Sequence, residues 1–155
     1  MPGWRGYSPT MNRVDADPWS VVFVLNRYGE ALDGRRWELL DDVFDIEATA
    51  DYGTGTLEGR AAIVTMIRGM LGGCGLTQHL LGNHQIEIDG QLAHSTCRCR
   101  VFHQGAGQRE QASYEVFGAY DDVLTWTGDA WRITHRVMSV SIQLGDPSIL
   151  GPGGP

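Results

Sequence analysis

The chain has 155 residues, a formal net charge of −7, and is 42% hydrophobic and 20% charged, which describes one soluble globular domain with a single core. The acidic balance supplies no basic patch for phosphates, which argues against a nucleic-acid or anionic-membrane partner. Cys74, Cys97 and Cys99 lack the spacing of a disulfide framework or zinc site and read as buried hydrophobes of a reducing, cytoplasmic compartment, and no segment approaches the ~20 apolar residues of a membrane span.

Residues 1–16 are polar and rich in Gly and Pro, which predicts a flexible arm ahead of a domain over 17–144. Asp17-Pro18-Trp19 reads as a helix start, with Asp as N-cap and Pro at the first helical position. Val21, Val22, Val24, Leu25, Tyr28 and Leu32 then recur at helical spacing, and Asp33-Gly34 ends the run. Trp37, Leu39, Leu40, Val43 and Phe44 predict a second, shorter helix folded back on the first, with Asp33 at the elbow. A short strand over 48–52 and a Gly53-Thr54-Gly55 turn follow. Ile63, Met66, Ile67 and Met70 mark the inner face of another helix, stopped by Gly72-Gly73. The period then falls to two. Long β segments are predicted at 76–89, 91–104, 110–127 and 130–143, joined at Asp89-Gly90 and Gly128-Asp129 by strong turn signals. An irregular, Gly-Pro-rich tail is predicted over 145–155.

Segregated helices and strands mean an α+β fold. We expect a cone: a strongly curved, mainly antiparallel sheet with three or four helices enclosing an apolar pocket. Trp19, Trp37, Trp126 and Trp131 are expected in core and helix–sheet packing. His84, His94, His103 and His135 show no metal-ligand pattern and read as surface or structural. Asp33 stands out, because an acid at a helix C-terminus faces the carbonyl end and needs a compensating partner. His79 begins a strand on a face shared with Thr77 and Leu81. An imidazole whose second nitrogen is held by a carboxylate has a fixed tautomer and raised basicity, as a general base near neutral pH requires.

Short fragments in a fixed order carry a resemblance: Arg27-Tyr28, Ala31-Leu32-Asp33, Asp51-Tyr52, Leu57-Glu58-Gly59, Gln78-His79, Ile88-Asp89-Gly90, Gly118-Ala119-Tyr120 and Trp131 to Arg136. Over about residues 18–143 the chain resembles the SnoaL-like branch of the superfamily that includes nuclear transport factor 2, ketosteroid isomerase and scytalone dehydratase. The resemblance implies the cystatin-like cone and an Asp–His pair at Asp33 and His79, as in scytalone dehydratase and a hexachlorocyclohexane dehydrochlorinase. It also implies substrate-binding roles for Tyr28 and for Arg136 on the last strand. Asn83, four residues after His79, is a further substrate-binding candidate, with a turn role as its alternative. The implied activity is that of a cofactor-independent lyase or isomerase acting on a small apolar cyclic or polyketide-like molecule, with dehydration leading and polyketide cyclisation as the alternative. A non-catalytic ligand-binding or assembly subunit is the reading from another class. A homodimer or homotrimer is expected.

Overall fold

The computed structural model describes residues 17–151; the arm expected over 1–16 and the end of the expected tail, 152–155, lie outside them. Helix α1 spans Pro18–Asp33, and the Asp17 carboxylate caps it by accepting from the Trp19 N–H at 3.0 Å. The expected second helix is a single 3-10 segment, Trp37–Asp42, and strand β1 (Phe44–Asp51) begins where helix was predicted to continue. The cause is competition for the backbone. The Val43 carbonyl accepts from the Ile133 N–H across the sheet at 2.8 Å, and Phe44 is wholly buried against the core. Strand β2 (Thr56–Glu58) was not anticipated; it pairs with the end of β1 before helix α2 (Arg60–Leu71).

Four long strands follow: β3 (Cys74–Asp89), β4 (Leu92–Gly105), β5 (Ser113–Trp126) and β6 (Trp131–Gly145). They form one mixed six-stranded sheet in the order β2-β1-β6-β5-β4-β3. Every pairing is antiparallel except β1 with β6. The sheet is curved and does not close. Helix α1 packs chiefly against β3 and α2 against β1. The core, from Val21, Leu25 and Leu32 on α1 through Val101, Leu124 and Ile133 on the strands, fills the space between.

Strict alternation runs along β4, where Ala93, Ser95, Cys97, Cys99, Val101 and His103 face inward. Elsewhere the ladders slip. A β-bulge interrupts β3 between Gly82 and Gln85, and Asn83 sits inside it, exposed, with φ of 52°. Asn tolerates that left-handed conformation better than most residues. Trp19 was expected to pack but is 74% exposed, whereas Trp131 is fully buried. The tail predicted as irregular begins with the last residue of β6 and then makes a 3-10 turn, Pro147–Ile149, tied down by Arg109. Its Nη2 donates to Asp146 Oδ2 at 2.7 Å and its Nη1 to the Ser148 carbonyl at 2.9 Å. Among the described residues no helix is long and apolar enough to cross a membrane.

Gly118 lies at a register shift where β5 meets β6, and a Cβ there would stand 2.2 Å from the Ser139 carbonyl oxygen. Backbone cannot yield as a flexible side chain can. Gly118→Ala is therefore expected to destabilise the fold by about 1–3 kcal/mol in urea unfolding. Gly82→Ala, with open space around its Cβ, should be neutral or mildly stabilising.

Candidate active site

The site is made where α1 crosses β3. Gly29 faces His79: a Cβ built there would be in ordinary contact with the His79 Cβ at 3.5 Å. One helical turn later the Asp33 carboxylate reaches the strand. Its Oδ1 lies 2.6 Å from His79 Nδ1 and accepts from the Thr77 hydroxyl at 3.0 Å; its Oδ2 accepts from the His79 backbone N–H at 2.8 Å. Arg35 secures the same corner. It is in left-handed backbone with φ of 54°, and it donates to the Leu32 and Gly75 carbonyls and to Thr77 Oγ1. The acid at the helix terminus is thus compensated by donors from the facing strand.

Burial alone would raise the Asp33 carboxyl, but the hydrogen bonds from the His79 ring and backbone, the charge of that ring and the Thr77 hydroxyl outweigh it and hold its pKa below the ordinary value. An ionised acceptor at 2.6 Å fixes the proton on Nδ1 and leaves Nε2 as the basic atom of the ring. The His79 side chain is only 4% exposed.

His79 opens onto a cavity of about 160 Å³. Tyr28 and Leu32 come from α1, Met66, Ile67, Met70 and Leu71 from α2, and Val101, His103, Tyr114, Val116, Tyr120, Met138 and Val140 from β4 to β6. Tyr52, just past β1, and Leu150, from the turn after β6, complete the wall. Among the described residues no Asp, Glu, Lys or Arg lines it. The Tyr28 and Tyr52 hydroxyls lie 3.2 Å apart, and burial pushes both phenols, and that of Tyr120, well above the ordinary range.

Sequence reasoning assigned His103 to surface or structure, yet it is buried in this wall, its ring 6.1 Å from that of His79. Its Nδ1 lies 3.0 Å from the Tyr114 carbonyl and donates to it, so Nε2 is an acceptor; burial lowers its pKa and keeps it neutral. The inward alternation begun by Cys97 and Cys99 reaches His103 and was the signal that could have found it. Tyr52, Tyr114 and Tyr120 were likewise missed.

Two expected substrate contacts stand elsewhere. Asn83 is on the exposed bulge, outside the cavity, because the chain reverses its alternation there. Arg136 is fully buried and does not line the cavity; its Nε and Nη2 donate to Asp122 Oδ1 and Oδ2 at 2.7 and 2.8 Å, a bidentate pair behind the tyrosines. No group of three or more His, Cys, Asp and Glu side chains placed to hold a metal ion occurs among the described residues.

The domain family described as SnoaL-like matches residues 16–137. An uncharacterized protein of Mycobacterium tuberculosis strain H37Rv is 34% identical over 130 residues, covering 83% of this chain and 88% of its own. Many solved structures share the fold, three of them as follows. Protein Kfla4162 from Kribbella flavida superposes with a TM-score of 0.80 at 20% identity, over 87% of this chain and 97% of its own. A scytalone dehydratase-like protein from Novosphingobium aromaticivorans gives 0.76 at 18%, over 83% and 87%. The hexachlorocyclohexane dehydrochlorinase LinA-type3 from Novosphingobium barchaimii gives 0.73 at 11%, over 83% and 89%.

A depressed carboxyl pKa stabilises the fold in full above the unfolded value and loses that contribution as pH falls through the folded one. The unfolded reference for Asp33 is 3.8. The stability gap between the wild type and Asp33→Asn should therefore be present at neutral pH and close only below about pH 4. Urea unfolding of both proteins across that range checks it.

Proposed function

The chain belongs to the SnoaL-like domain family, and from that premise we propose that it is a cofactor-independent lyase that removes water from a small, uncharged ring. The observation that carries this reading is the Asp33–His79 contact of 2.6 Å on the wall of a cavity that no Asp, Glu, Lys or Arg lines among the described residues. His79 Nε2 takes a proton from carbon next to a substrate carbonyl. The electrons of that C–H bond move onto the carbonyl oxygen and then return to form the C=C bond as the neighbouring C–O bond breaks. The imidazolium, stabilised by Asp33, gives its proton to the departing hydroxide, so water leaves and the base is restored. One hydroxyl of the hydrogen-bonded Tyr28–Tyr52 pair donates to the carbonyl oxygen while it carries charge. The neutral His103 accepts a hydrogen bond from the substrate hydroxyl and orients the leaving group.

Size narrows the substrate. A cavity of about 150 Å³ holds benzene, so 160 Å³ suits one ring, with extension towards the mouth. A multi-ring polyketide would have to extend out through the mouth, which puts cyclisation second. Charge narrows it further, because a carboxylate or phosphate inside this wall would lose its hydration without gaining a cation. Two proteins that share the fold carry the names of a dehydratase and a dehydrochlorinase, and both names denote eliminations.

The test is turnover of monocyclic β-hydroxyketones, followed by ultraviolet absorbance of the conjugated product. His79→Ala is expected to lower the rate by about two to four orders of magnitude with the fold intact by circular dichroism. Asp33→Asn should lose most of the rate while still binding substrate. A wild type that binds such ketones yet turns none over, or a His79→Ala variant of unchanged rate, would favour the non-catalytic ligand-binding reading instead.

A further inference from the structure

A second hollow, of about 410 Å³, lies between α1 and the β5–β6 hairpin and shares no lining residue with the cavity. Phe23 and Arg27 reach it from α1, one turn apart on the same helical face. Trp126 and Trp131, opposite each other at the end of the β5–β6 ladder, add two indoles with centroids 5.5 Å apart. Arg132 follows Trp131, and Asp42, the last residue of the 3-10 segment, joins the two arginines. Arg27 Nη2 donates to Asp42 Oδ2 at 2.7 Å, and Arg132 Nη2 reaches Asp42 Oδ1 at 3.5 Å. The Arg27 guanidinium carbon lies 5.9 Å from the ring centroid of Phe23, which is 62% exposed.

Two guanidiniums carry more N–H donors than one carboxylate can use. The Trp131 carbonyl takes one further bond, from Arg132 Nη1 at 3.1 Å. Arg27 Nη1 and Arg132 Nε make no bond among the described residues and are not buried, so both are open to a ligand. The formal charges of the lining balance, because Asp129 also faces the hollow. Asp129, however, is exposed on the hairpin turn, where water and salt screen it, and its Oδ1 accepts from the Thr127 hydroxyl at 2.6 Å. The Arg27 and Arg132 side chains are only 28% and 20% exposed. At the arginines, two partly buried cations share one carboxylate.

We propose that this hollow is a second ligand site, which takes a flat aromatic carboxylate of one or two rings. The carboxylate lies on the free donors of Arg27 and Arg132, whose planar forks match its geometry, and the ring lies against Phe23 and Trp126. A cavity of about 150 Å³ holds benzene, so the hollow has room for two fused rings. The two sites divide ligands by charge: the cavity beside His79 offers an anion no cation, and the hollow does.

The experiment titrates 2-naphthoate into the full chain at neutral pH by calorimetry, with 2-naphthamide as the uncharged probe of the same shape. Naphthoate is expected to bind with a Kd below about 1 mM, and about tenfold more tightly than the amide. Arg132→Lys keeps the charge but loses the fork, and should weaken naphthoate by about tenfold. Phe23→Ala, at an exposed position that the core does not need, should weaken it several-fold. In proton NMR the indole N–H signals of Trp126 and Trp131 should move, while the methyl signals of Met66 and Met138 in the cavity stay. His79→Ala should bind as the wild type does, so the result stands whether or not the chain is a lyase. Absence of binding at about 1 mM overturns the proposal. So does equal affinity for the amide, or movement of the methionine signals while the indoles stay.

Discussion

The Asp33 carboxylate accepts three hydrogen bonds from a single strand, and the cone is built around that attachment. An anion at the C-terminal end of a helix is repelled by the carbonyls that end there. Here the Thr77 hydroxyl, the His79 N–H and the His79 ring reverse the balance. At its other end α1 is held by Trp131 Nε1, which donates to Ser20 Oγ at 3.0 Å. The helix is thus pinned to β3 at one end and to β6 at the other, and it bridges the curved sheet. The cavity is the space that this bridge leaves over the strands. The same contacts that place the helix also set the tautomer of His79, so architecture and proton chemistry rest on one set of bonds.

The second pair of charges is arranged differently. Arg136 and Asp122 are opposite partners in the β5–β6 ladder and both are fully buried. Removing two charges from water is costly, and an apolar pair of the same size is often as stable. What the pair adds is register. A slip of one residue would turn Arg136 to the outer face and leave Asp122 alone in the core, an arrangement that costs several kcal/mol. The strand that carries Arg136 also carries Met138 and Val140, so the register fixes which side chains close the cavity.

Much of this was readable in the residues. The caps and period of α1, the four long strands and the Asp89-Gly90 turn follow from local chemistry, and local chemistry is what a sequence displays. Asp33 and His79 were legible because one is out of place at its helix end and the other stands among apolar neighbours. Other features depend on partners far along the chain. Val43 and Phe44 have helical spacing, but β6 claims their backbone. Arg136 faces inward only because β6 shifts register opposite Val123 and Leu124, and Asn83 faces outward because of a similar slip in β3. A period of two carries no sign of such bulges. His103 was within reach, since the alternation that sets Cys97 and Cys99 inward runs on to it unbroken.

The parallel pairing of β1 with β6 has a consequence for how the chain comes off the ribosome. β1 and β2 are made early, but the strand that joins them to the rest of the sheet is the last of the six. Until then they are a two-stranded ribbon, marginal in water. The union of α1 with β3 can form as soon as β3 has emerged. The meander of β3, β4 and β5 grows by short hairpin steps, while the contact that completes the sheet joins residues as far apart in the chain as Phe44 and Ile133. Closure of that long loop is the slow event to expect. A nascent chain would therefore hold the Asp33–His79 contact well before it has a cavity beside it.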